Sequence, residues 1–162
     1  FGSQGSVALN QVIAQSLPSL LANGSQLLHA VGKLNALPPM QERYKSTAYI
    51  EDMAIAYLAA DLIISRSGAI SCSEINALGR YALFIPLPIG NGEQRFNANQ
   101  VISQGRGEII DQKLFSPSWV SSNLNRLLAK SAESPLSGSD SDLNSSEKIV
   151  SFMEYALTGK RD

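Results

Sequence analysis

One cysteine, Cys72, and one histidine, His29, stand in 162 residues. A single cysteine forms no internal disulfide, which fits a reducing compartment. Neither sign of charge is in excess: 13 Lys+Arg face 14 Asp+Glu, for a formal net charge of -1. No overall basic field exists to draw in nucleic acid or an anionic membrane, so any anion must be bound locally. The most apolar run, "YALFIPLPI" at 81–89, is nine residues long and carries two prolines, well short of the roughly 20 that a membrane helix needs. No stretch reads as a secretory signal, and the expectation is a cytoplasmic chain. A chain of this length is about one domain, which buries roughly 68–70% of its unfolded surface.

What is present is alternation. Short runs rich in Ile, Leu, Val and Tyr predict strands near 26–31, 45–50, 61–65, 82–86 and 107–111. Stretches of helical period predict helices over 6–16, 53–60, 71–79, 94–104, 117–130 and 146–157, with Pro18 breaking or kinking the end of the first. Strands alternating with helices imply a parallel sheet covered on both faces, a doubly wound, Rossmann-like α/β fold. At the first residues, "GSQGS" is a glycine turn leading to a helix, and such a turn normally follows a strand. The expectation is a piece of a longer chain that lacks its first strand. Residues 131–147, "SAESPLSGSDSDLNSSE", read as a flexible loop.

Three stretches carry candidate chemistry. "GSQGS" at 2–6 could present backbone N–H groups to a phosphate at a helix N-terminus, or be a plain tight turn. It fits neither the dinucleotide fingerprint nor the Walker loop. "RSGAISCSEINALG" at 66–79 follows a strand end, the position where parallel sheets bind ligands. Gly68 permits close backbone approach, and the N–H groups of Ala69, Ile70 and Ser71 would face an anion with the helix dipole behind them. Glu74 has two readings. Ser71-Cys72-Ser73-Glu74 is an S-x-x-E capping box, in which the glutamate bonds back to the Ser71 N–H. Alternatively, Glu74 accepts two ribose hydroxyls, as acidic residues do in nucleotide sites of α/β folds. "PLPIGNGEQRFNANQ" at 86–100 sets Glu93, Gln94, Asn97 and Asn99 at a helix start, as sugar-gripping side chains or as caps and solvated face.

Taken together and in this order, "GSQG" at 2–5, "YIEDM" at 49–53, "ADLIISRSGAISCSEINALG" at 60–79 and "PLPIGNGEQRFNANQ" at 86–100 resemble the C-terminal half of the MurG family. These are N-acetylglucosaminyltransferases of peptidoglycan synthesis. The resemblance implies one half of a two-domain GT-B glycosyltransferase. This half would bind UDP-N-acetylglucosamine, and an N-terminal half would bind the lipid-linked muramyl-pentapeptide acceptor. It implies an Ile50 backbone against the uracil edge with Met53 nearby, and Glu74 on the ribose hydroxyls. The Ala69, Ile70 and Ser71 backbone and the Ser3 hydroxyl, beside Gln4, would hold the diphosphate. Glu93 and Gln94 would face the N-acetylglucosamine, with Asn97 adjoining. Ser71 stands where the family commonly has threonine and keeps the hydroxyl; Glu93 stands where glutamine or histidine occurs, which alters that sugar contact.

The implied reaction is attack of the acceptor's 4-hydroxyl on the anomeric carbon, with inversion and departure of UDP. The implied general base lies on the N-terminal half, so no catalytic residue is assigned here. Membrane contact, at the cytoplasmic face, would likewise run through that half. No cofactor or metal is expected. Asp140-Ser-Asp142 mimics a D-x-D metal motif but sits in the Ser-rich loop, and an EF-hand from Asp140 would need Gly and Glu where Ser145 and Ser151 stand. His29 falls within an expected strand and is read as structural, and Cys72 and Trp119 are read as packing residues. Two other classes fit the same pattern: a free-standing donor-binding subunit that works with a separate membrane partner, and a nucleotide-sugar epimerase of the same architecture.

Overall fold

The computed structural model describes residues 5–89 and 91–134. Ten elements alternate along them: α1 (Val7–Ala22), β1 (Leu27–Ala30), β2 (Tyr44–Thr47), α2 (Met53–Ala59), β3 (Ile63–Ser65), α3 (Ala69–Ala77), β4 (Ala82–Phe84), α4 (Glu93–Ile102), β5 (Gly107–Ile109) and α5 (Pro117–Glu133). The expected helix over 146–157 and most of the expected loop over 131–147 lie outside the described residues.

β4 organises the core. Its side chains alternate, as a strand of period two requires: Ala82 and Phe84 face one way, Leu83 and Ile85 the other, all essentially inaccessible to solvent. On the first side they join Tyr57 of α2, Cys72 and Ile75 of α3, and Ala98 and Val101 of α4. On the second they join Leu9, Ile13 and Leu20 of α1 and Val120, Leu124 and Leu127 of α5. Helices therefore cover both faces of a parallel sheet in the order β3-β4-β5, which is the doubly wound α/β arrangement.

Among the described residues the strands form two sheets and not one. β1 pairs with β2, in parallel, as a separate ribbon with Leu27 opposite Tyr44. Leu27 of β1 and Ile64 of β3 nevertheless pack on the same core. β1 and β3 each have one strand neighbour.

α1 runs past its proline. The helix expected to end at 16 continues to Ala22 with Pro18 inside it. Pro18 removes one helical N–H, but Leu17 and Leu20 are buried on either side of it, and the apolar face outweighs the lost bond. Polar contacts pin the far end: Ser121 Oγ donates to Ser19 Oγ at 2.8 Å, and Asn23 Nδ2 donates to Asn125 Oδ1 at 2.8 Å. α5 begins as its sequence suggests, with Ser116 Oγ accepting the Trp119 N–H at 3.2 Å and Pro117 at the first helical position.

Candidate functional site

"YIEDM" at 49–53, "RSGAISCSEINALG" at 66–79 and "PLPIGNGEQRFNANQ" at 86–100 lie at or just beyond the carboxyl ends of β2, β3 and β4, where the chain turns into α2, α3 and α4. This is the rim at which open parallel sheets bind ligands.

After β3 the chain passes through Arg66 and Ser67 to Gly68, the N-cap of α3. The first intrahelical bond is donated by Cys72 N–H to the Gly68 carbonyl at 3.0 Å, so the N–H groups of Ala69, Ile70 and Ser71 have no partner within the helix. Nothing stands within 4 Å of where a Gly68 side chain would begin. Ala69 and Ile70 are exposed, Ile70 at 75%. Unpaired N–H groups, an open approach and a helix dipole are the elements of an anion site.

The capping box is not formed. α3 starts three residues earlier than the S-x-x-E pattern suggests, so Ser71 is a helical residue and Glu74 lies a full turn further in. Three residues separate β3 from α3, and the helix begins after Gly68 without a side-chain cap. Glu74 is half-buried, and its carboxylate makes no hydrogen bond or ion pair with a described residue. The Ser71 side chain lies near the phenol of Tyr57, which is 6% exposed on α2. Burial raises the Tyr57 pKa, with the nearby Glu74 charge adding to it, so the phenol stays neutral. Cys72 is buried beside them, its thiol pushed up to about 12 by burial. That thiol is inert.

Ile50 and Met53 flank the start of α2. Both are half-buried; Met53 is the first helical residue and packs on the α3 side of the core. Asp52 caps this helix by accepting the Ile55 N–H at 3.0 Å.

In the third stretch, Glu93 is exposed at the first position of α4. Gln94 Oε1 accepts the Leu87 N–H at 2.9 Å, holding the proline-rich loop and leaving the amide NH2 to donate. Asn97 Nδ2 donates to the Ser67 carbonyl at 3.2 Å, tying α4 to the turn before α3. The sequence-named residues Ile50, Met53, Ala69, Ile70, Ser71, Glu74, Glu93, Gln94 and Asn97 thus stand at the strand-to-helix turns after β2, β3 and β4 or in the helices that follow them. Ser3 and Gln4 lie outside the described residues, as do Asp140 and Asp142.

Gly5, the described glycine of "GSQGS", lies against the end of β1. Gly5 has φ 73°, and a Cβ there would stand 1.9 Å from the Val31 carbonyl oxygen. That oxygen also accepts from Asn10 Nδ2 and Asn35 Nδ2, each at 2.8 Å. Asn10 Oδ1 in turn lies 3.0 Å from His29 Nε2, and His29 Nδ1 lies 3.0 Å from the Tyr44 hydroxyl. His29 is 5% exposed, and burial lowers its pKa to about 4. It is a neutral member of this buried network.

Sequence reasoning missed Arg66. Its guanidinium is buried and donates to Ile85 O at 3.0 Å, Pro86 O at 3.1 Å, Ser6 Oγ at 3.0 Å and Gln112 Oε1 at 2.6 Å. The partners lie 19 to 60 residues away, so no local pattern signals them.

Comparison with known proteins decides the family. Residues 1–152 match the glycosyltransferase family 28 C-terminal domain. The chain belongs to that family. Curated relatives of this family 28 domain include proteins from Corynebacterium efficiens and Streptomyces collinus, 44% and 43% identical over 131 and 133 residues. Both are named UDP-N-acetylglucosamine--N-acetylmuramyl-(pentapeptide) pyrophosphoryl-undecaprenol N-acetylglucosamine transferase. The matches cover 81% and 79% of this chain but 36% and 37% of the relatives, so the family 28 domain spans little more than a third of their length. The crystal structure of Acinetobacter baumannii MurG superposes with a TM-score of 0.70 at 25% identity, over 94% of this chain and 47% of that one. A glycosyltransferase of kitacinnamycin superposes at 0.64 with 16% identity, over 80% of this chain and 35% of that one, and shares the fold. Both likenesses fit one half of a GT-B enzyme. No helix among the described residues is long and apolar enough to cross a membrane.

Proposed function

We propose that this domain is the donor-binding half of an inverting N-acetylglucosaminyltransferase that converts lipid-linked muramyl-pentapeptide, lipid I, to lipid II. The observation that carries the reading is the family membership together with relatives named for that transfer. The rim geometry supports it. A nucleoside diphosphate needs N–H donors for its phosphates and a free carboxylate for its ribose; the first turn of α3 supplies the former and Glu74 the latter. The Ile50 backbone pairs with the uracil edge beside Met53. Ala69, Ile70, Ser71 and the Ser3–Gln4 turn hold the diphosphate, while Glu93, Gln94 and Asn97 take the sugar.

In the reaction, the acceptor's 4-hydroxyl attacks the anomeric carbon and charge builds on the departing UDP. N–H groups and a helix dipole already aimed at the diphosphate stabilise that charge without reorganising. The general base and the acceptor come from an N-terminal domain, through which the enzyme meets the cytoplasmic face of the membrane.

The test pairs the full-length enzyme with UDP-N-acetylglucosamine and lipid I, and separately measures nucleotide binding by calorimetry. Transfer with inversion is expected, with UDP bound more tightly than ADP. Equal affinities, or release of an epimerised sugar in place of transfer, overturn the proposal.

A further inference from the structure

We propose that Arg66 is the positioning residue of the diphosphate site, a buried cation that ties the start of α1 to the turn entering α3 and supplies part of the field that retains the anion. The inference rests on the donor-binding reading above. Ser6, which accepts from Arg66 Nη2, is the N-cap of the 16-residue α1. Arg66 itself stands two residues before Gly68, the N-cap of the nine-residue α3. One guanidinium therefore holds the start of α1 from the turn that enters α3, and its other fork braces the chain leaving β4 through Ile85 O and Pro86 O. Only a planar, five-donor group spans these directions at once.

Among the described residues no carboxylate pairs with this charge. All four acceptors are neutral, and the ion pairs among the described residues involve Arg95, Arg126 and Lys130 instead. Arg66 is 9% exposed. Burying a cation is costly unless an anion accompanies it. Its pKa is lowered by burial, yet an arginine stays protonated. Next to it, the fully buried Ser67 Oγ has no hydrogen-bond partner. A buried guanidinium bonded to the start of α1 and two residues ahead of α3 thus carries a charge that no described carboxylate pairs with, and a bound diphosphate completes the balance.

Two variants of the full-length protein test this by titration with UDP and with uridine, which lacks the phosphates. Arg66→Met is expected to weaken UDP by about tenfold or more and leave uridine almost unchanged. Gln112→Glu places a carboxylate on Arg66 Nη2, cancelling its charge while keeping its contacts. It is expected to weaken UDP several-fold, spare uridine and not lower the thermal midpoint. If Arg66 is only a staple, Arg66→Met weakens both ligands alike and Gln112→Glu leaves UDP affinity intact; either result overturns the proposal. Should Arg66→Met fail to fold, Gln112→Glu decides. A wild type that binds UDP no better than uridine instead sinks the diphosphate reading, and Arg66's role with it.

Discussion

Glu74→Ala separates ligand binding from folding. The carboxylate has no described hydrogen-bond or ion-pair partner and the capping box is absent, so its removal breaks no protein contact beyond its field on Tyr57. Alanine is also the better helix former at this position. The stability change is therefore expected to stay within about 0.5 kcal/mol, the usual range for a surface substitution. Ribose binding is another matter. A hydrogen bond to a charged group is worth about 1.5–3 kcal/mol, so losing even one weakens UDP by about tenfold or more. Calorimetry with UDP and 2'-deoxy-UDP on both proteins isolates the contact. In the wild type the missing 2'-hydroxyl costs affinity; in Glu74→Ala that penalty largely vanishes. An equal penalty in the two proteins refutes ribose contact. A stability loss near 1 kcal/mol, typical of a lost cap, refutes the helix start at Gly68.

Two further outcomes concern the support of the rim. Gly5→Ala drives a Cβ into the Val31 carbonyl oxygen at a φ of 73°, and urea denaturation should show a loss of about 1–3 kcal/mol; a midpoint unchanged from wild type contradicts the close approach. His29 has its folded pKa lowered from 6.5 to about 4 by burial. Above pH 6.5 it is neutral in both states; between 6.5 and 4 the unfolded chain binds a proton that the folded chain does not, so stability falls as pH falls. Denaturation from pH 7 to 4.5 should show that slope in the wild type and lose one proton's share of it in His29→Gln; identical slopes rule the linkage out.

The sequence by itself determined the alternation of strands and helices, because each run carries its period locally. "YALFI" is apolar on both faces, and that is how a strand buried between two helix layers must read. The strand-to-helix turns were legible for the same reason: each is one contiguous segment, at a strand end marked by glycine or proline. The start of α3 was misread because S-x-x-E satisfies a cap locally, whereas the folded chain starts the helix three residues after β3, at Gly68. Pro18 was misread because its cost is local and its compensation, burial against the core, is not. Strand pairing into two sheets, the Asn10–His29–Tyr44 network and the seat of Gly5 under Val31 depend on elements far apart in the chain. Arg66 is the extreme case: its role is set by neutral acceptors at 6, 85, 86 and 112, which only the folded chain brings around one buried charge.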